Sequence, residues 1–124
     1  ALAIGVDAVE IDVRRLDDAL IVLHDDTLER TTNGRGHFRD HALPALRALD
    51  AGDGETIPLL DEVLVLTRER VGLNIEVKDP GIAEEVIDVA LAATERCPAW
   101  RARILLSSFD VATSAALAAA RGPM

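Results

Sequence analysis

The stretch AVEIDVRRLDDALIVLHDD, residues 8–26, decides the fold. Residues 8–13 alternate with period two and predict a β-strand. Val9, Ile11 and Val13 fall on one face, Glu10 and Asp12 on the other. LIVLH, residues 20–24, predicts a second strand, and the polar LDDA between them predicts a hairpin turn. Two carboxylates thus occupy a strand face that a buried core would otherwise use.

The same division recurs downstream in NIEVK, residues 74–78. Ile75 and Val77 face one way, and Asn74, Glu76 and Lys78 the other. Two carboxylates about 6 Å apart, at an effective dielectric of roughly 20, repel by about 3 kcal/mol. Protonation, a protein cation or a metal must offset that repulsion. Oxygen ligands alone favour a hard cation such as Mg²⁺ or Ca²⁺. An open antiparallel sheet with one wet face is the alternative for the first strand. The strand–helix–strand–helix order from residue 72 onward argues against it, because that order predicts a parallel sheet covered by helices.

The predicted elements downstream are a polar loop over 25–42, a short helix PALRALD at 44–50 and a helix LLDEVLVLTRER at 59–70. A strand at 73–77, an amphipathic helix at 81–96, a strand at 103–108 and a helix at 111–121 follow. Residues 1–4 read as a helix end capped by Gly5.

A three-residue hairpin loop, Asp17-Asp18-Ala19, pairs Leu16 with Leu20 and sets His24 opposite Asp12. A two-residue turn would shift the register by one and turn His24 to the apolar side. Facing Asp12 and preceding Asp25, His24 suits proton transfer, with a structural histidine as the alternative. Lys78 suits either balancing the carboxylates or holding an anionic substrate group. Cation, imidazole and lysine together suggest phosphoryl chemistry. His37 and His41 read as surface residues, and Arg30 and Arg35 as solvated loop arginines or phosphate contacts. Ser107 and Ser108 are candidates for substrate contact, and Asp110 for a helix N-cap.

Composition narrows the classes further. The 124 residues suit one domain or part of one, with a net charge of −9, one Trp and two Phe. The core is therefore aliphatic. The acidic balance and the lack of a basic run argue against nucleic-acid binding. The single cysteine, Cys97, excludes an internal disulfide and is compatible with a reducing, cytoplasmic setting. No run of about 18 apolar residues predicts a membrane span. The start lacks both Met and a signal-peptide pattern, so the chain is expected to begin inside a larger protein.

GVDAVEIDV, LIVLHDDTLERTTNGRG, LRALDAG, IPLLDEVL, LNIEVK and SSFD, in this order, closely resemble the glycerophosphodiester phosphodiesterases. The resemblance implies part of a TIM-type (β/α) barrel, incomplete at both ends, with 1–124 as the central part of one domain. It implies that 25–72 is a loop and short-helix insertion capping the barrel mouth. It further implies a divalent cation on Glu10, Asp12 and Glu76, His24 as one of two acid/base histidines, and Lys78 beside the substrate phosphate. The reaction implied is hydrolysis of a small-molecule glycerophosphodiester to glycerol 3-phosphate and an alcohol.

The family's HRG strand, with the second histidine and a phosphate-binding arginine, has no match here, and Trp100 is not the family's active-site tryptophan. The isolated chain is therefore expected to be inactive or nearly so. Its LDDA turn lacks the family's common Gly and is one residue shorter than the usual form. A whole barrel takes about 250 residues, and an incomplete one leaves strand edges that favour association into oligomers. Two alternatives share most of these residues: a non-catalytic cation- or ligand-binding module on the same fold, and a related phospholipase-type phosphodiesterase.

Overall fold

A computed structural model of the chain describes residues 7–68, 70–95 and 97–108. Within them lie β1 (Ala8–Leu16), β2 (Ala19–Val22), α1 (Leu43–Arg47), α2 (Leu60–Thr67), β3 (Gly72–Val77), α3 (Ala83–Ala93), α4 (Pro98–Arg101) and β4 (Ile104–Ser107). The helix end expected at 1–4, the helix at 111–121 and the Asp110 cap lie outside the described residues.

The sheet runs in the order β2-β1-β3-β4. β1, β3 and β4 are parallel, and β2 folds back antiparallel on β1. Parallel strands joined by helices bury one sheet face under those helices. That face carries Ile11, Val13, Leu73, Ile75 and Val77, packed on Leu60, Leu64, Val86 and Trp100. Trp100 buries its ring and donates its indole N–H to the Val71 carbonyl at 2.8 Å, so no polar group is stranded. β4 crowds β3 at Gly72, where a Cβ would stand 2.9 Å from the Arg103 carbonyl oxygen.

The opposite face changes character along β1. At its middle it is acidic, with Glu10 and Asp12. Beyond Arg14 it becomes apolar, with Leu16 beside Ile21 of the hairpin. A second core forms there, from Leu16, Ile21, Leu23, Leu28, Phe38, Leu46 and Ile57. The chain between β2 and α2 supplies most of it. That chain is tied down by backbone bonds from Val22 to Pro58, from Leu28 to Gly36, from Phe38 to Asp26 and from Asn33 to Asp50. A short 3-10 turn, Phe38–Asp40, lies in the stretch expected to be loop. Phe38 is fully buried, with the Arg39 and Arg14 guanidinium groups 4.7 and 5.3 Å from its ring centroid.

The hairpin departs from expectation. Leu16 pairs with Ala19, not Leu20, so the turn holds two residues, Asp17 and Asp18. Asp17 adopts a left-handed φ of 54°. Two-residue hairpin turns require positive φ, usually from Gly or Asn. Aspartate tolerates that region at some strain, and the sequence therefore gave no glycine signal for the shorter turn.

Asp17→Gly is expected to stabilise the protein by about 0.5–1 kcal/mol, the relief of that strain less the added freedom of the unfolded chain. Urea unfolding would show a higher midpoint with an unchanged slope.

Candidate active site

Parallel pairing of β1 with β3 sets Asp12 directly beside Glu76 and Glu10 beside Asn74. Glu10, Asp12 and Glu76 each present a carboxylate oxygen, and these three oxygens lie within 4.8 Å of one another. Glu10 is exposed, whereas Asp12 is 9 % and Glu76 6 % exposed. Asp12 Oδ1 and Glu76 Oε1 are buried and accept no hydrogen bond. Such orphaned oxygens are costly, and a bound cation would satisfy them.

Lys78 follows on the same face. Its Nζ stands 3.4 Å from Glu76 Oε2 and 3.9 Å from Asp12 Oδ1. This geometry serves the charge-balancing role and leaves the ammonium at the edge of the acidic trio. Burial, the hydrogen bond with Glu76 and that group's charge push the Asp12 carboxyl up to about 6, against the opposing pull of Lys78 and His24.

His24 follows the last residue of the ladder by two positions. With the two-residue turn, regular pairing would carry it opposite Ile11, on the helix side. Instead the strand ends at Val22 and the chain bends over residues 24–26. Leu23 donates its N–H to the Asp12 carbonyl at 3.0 Å and buries its side chain in the second core. His24 emerges exposed, close enough for its charge to act on Asp12.

Arg14, on the acidic face two residues past Asp12, secures this bend. Its Nε donates to the Leu23 carbonyl at 3.1 Å and its Nη2 to the His24 carbonyl at 2.8 Å. Nη1 pairs with Asp26 at 2.8 Å. Asp79, one residue beyond Lys78, accepts the Arg15 N–H at 2.7 Å and pairs with Arg39 at 2.7 Å. It is buried, and it joins the end of β3 to β1 and to the turn beneath Phe38. Neither Arg14 nor Asp79 stood out in the sequence. Their partners lie up to 64 residues away, and no local pattern encodes such contacts.

The other candidates fall as follows. Arg30 binds the Asp25 carboxylate through two hydrogen bonds. His37 and His41 are half-buried rather than on the open surface: His37 stacks on Phe38 and accepts the Arg39 N–H, and His41 bonds the Arg35 carbonyl. Ser107, paired with Glu76 across the β3–β4 ladder, donates to Asn74 Oδ1 at 3.1 Å. Among the described residues, no helix is long and apolar enough to cross a membrane.

Comparison with known proteins covers nearly the whole chain. The Glycerophosphoryl diester phosphodiesterase family matches residues 1–122. A glycerophosphodiester phosphodiesterase of Caldanaerobacter subterraneus is 37 % identical over 124 residues, covering 89 % of this chain and 49 % of that protein. One from Bacillus altitudinis is 41 % identical over 101 residues, covering 69 % of this chain and 41 % of its own length. The chain thus spans about half the length of the curated relatives it matches.

Among solved structures, a glycerophosphodiester phosphodiesterase of Agrobacterium tumefaciens superposes with a TM-score of 0.81 at 32 % identity, over 96 % of this chain and 52 % of that one. A phosphodiesterase of Oleispira antarctica in complex with the product sn-glycerol-3-phosphate superposes at 0.75 with 32 % identity, over 98 % of this chain and 53 % of its own. The expected fold class, part of a (β/α) barrel, stands.

Asp12 has a folded-state value above its unfolded one, so the folded state binds more protons between about pH 4 and 6. Without divalent ions, stability is expected to fall as pH rises through that window and to level above it. Thermal unfolding across pH checks this, and Lys78→Met is expected to move the end of the window upward by removing a charge that favours the carboxylate.

Proposed function

Because this chain belongs to the glycerophosphoryl diester phosphodiesterase family, we propose that the protein hydrolyses glycerophosphodiesters to glycerol 3-phosphate and an alcohol, using a divalent cation, Mg²⁺ or Ca²⁺, held by Glu10, Asp12 and Glu76. The observation that carries the metal assignment is the pair of buried, unbonded oxygens, Asp12 Oδ1 and Glu76 Oε1, within a trio of carboxylates. An all-oxygen set with this charge fits a hard cation. The product named in the Oleispira structure supports glycerol 3-phosphate as the released half.

When bound, the ion would supply Lewis-acid stabilisation of the phosphoryl oxygens. The side chains supply the rest. Glu10, Asp12 and Glu76 hold the ion, with Glu10 at the exposed side. Lys78, already 3.4 Å from Glu76, is the residue best placed to donate a hydrogen bond to a phosphate oxygen at the rim of the trio. His24 exchanges a proton with a reacting hydroxyl, as base or acid, from a ring open to solvent. The chain between β2 and α2 roofs the far end of the acidic face, and Arg14 fixes the backbone on which His24 stands. The other acid/base histidine that the family resemblance implies has no match in these residues, so the 124 residues alone are expected to turn over substrate weakly or not at all.

Calorimetric titration with Mg²⁺ and Ca²⁺ tests the site. Glu10→Gln and Glu76→Gln are each expected to weaken cation affinity at least about tenfold, and equal affinity in all three proteins would overturn the assignment. In the active protein, His24→Gln is expected to lower kcat about 10²–10⁴-fold with cation affinity unchanged.

A further inference from the structure

A histidine that moves protons must present one chosen nitrogen, and an exposed ring on a bent backbone does not do so unaided. His24 Nδ1 lies 2.6 Å from Asp25 Oδ1. Arg30 grips the same carboxylate from another side, with Nε 2.7 Å from Oδ2 and Nη2 2.8 Å from Oδ1. The Asp25 side chain is only 19 % exposed, against 61 % for His24 and 66 % for Arg30. Exposed ion pairs contribute little to stability, and here two exposed groups converge on one shielded carboxylate.

The chemistry of the carboxylate gives that convergence a role. Arg30's hydrogen bonds, and then that of His24, hold Asp25 well below the usual carboxylate range. Asp25 therefore stays ionised and can only accept. An acceptor at that distance requires the hydrogen on His24 Nδ1, which leaves the lone pair of the neutral ring on Nε2. The charged groups around the ring are Asp25, Arg30 behind it, and Asp12 on the sheet face. Arg14 meets the His24 carbonyl rather than its ring.

We propose that Asp25, clamped by Arg30, is the positioning residue of His24: it keeps the hydrogen on Nδ1 and presents Nε2 for proton exchange. The inference rests on His24 as the proton-transfer group, and deepens that reading by naming the atom used and the residues that select it.

The test is ¹⁵N-histidine NMR of the active protein at a pH above the imidazole range, combined with kinetics on a glycerophosphodiester. The His24 signals are identified by their loss in His24→Gln. In the wild type, His24 is expected as the Nδ1–H tautomer. In Asp25→Asn, whose amide can donate, it is expected to shift toward Nε2–H, with kcat reduced at least about 10²-fold and KM changed less than about twofold. An Nε2–H tautomer in the wild type, or an unchanged tautomer or kcat in Asp25→Asn, would overturn the positioning role. Undiminished turnover in His24→Gln would instead overturn the catalytic reading of His24, while the tautomer measurement still decides what Asp25 does to the ring.

Discussion

Asp12 and Glu76 stand side by side on adjacent parallel strands, both buried, each with an oxygen that accepts no hydrogen bond among the described residues. This juxtaposition is the constraint on which the rest depends. At an effective dielectric of roughly 20, like charges about 5 Å apart repel by about 3 kcal/mol, before any cost of burial. Lys78 offsets part of it from one side. A proton on Asp12 would relieve it as well, and burial, with the hydrogen bond and charge of Glu76 adding to it, pushes that carboxyl up to about 6. A divalent cation would offset all of it and satisfy both orphaned oxygens. The pair is a local sacrifice of stability, of the kind that functional sites make.

The two cores explain how the fold sustains that cost. The first, between the sheet and helices α2, α3 and α4, fixes the β1–β3 register through Ile11, Val13, Ile75 and Val77. A slip of one residue would drive the carboxylates into the aliphatic layer, so the register is strongly determined. The second core lies on the acidic side, past the end of the carboxylate row. It turns the chain after β2 into a packed roof around Phe38 instead of a loose loop. Arg14 and Asp79 join the two regions. Asp79, the residue after Lys78, ties the end of β3 to β1 and the roof, and Arg14 ties β1 to the backbone of His24. The carboxylate pair and the imidazole are thus referenced to one strand.

Much of this was legible in the residues. Alternation identified β1 and β3 and set Glu10, Asp12 and Glu76 opposite the apolar residues of their own strands, which a shared core then turns to one face. Pro58 and Gly72 bracketed α2, and the helical period identified α3, each within a few residues of its ends. Legibility failed where geometry is not periodic. The hairpin looked like a three-residue loop because Asp17 fills a left-handed position that glycine usually marks. Its true register would have moved His24 to the wrong side, had the chain not left the ladder first. The four-residue α4 went unnoticed because PAWR is too short for periodicity, although Pro98 at its start was a usable signal. The polar bonds of Asp79, and the pairing of Arg30 with Asp25, depend on side-chain reach, which sequence spacing does not report.

The central claim is that three carboxylates from two strands form one cation site. Anomalous diffraction from crystals soaked in Ca²⁺ tests it most directly. The account predicts a single strong peak about 2.3–2.6 Å from oxygens of Glu10, Asp12 and Glu76 together. Fully occupied Ca²⁺ elsewhere in the protein, with Asp12 and Glu76 still facing only each other and Lys78, would contradict it.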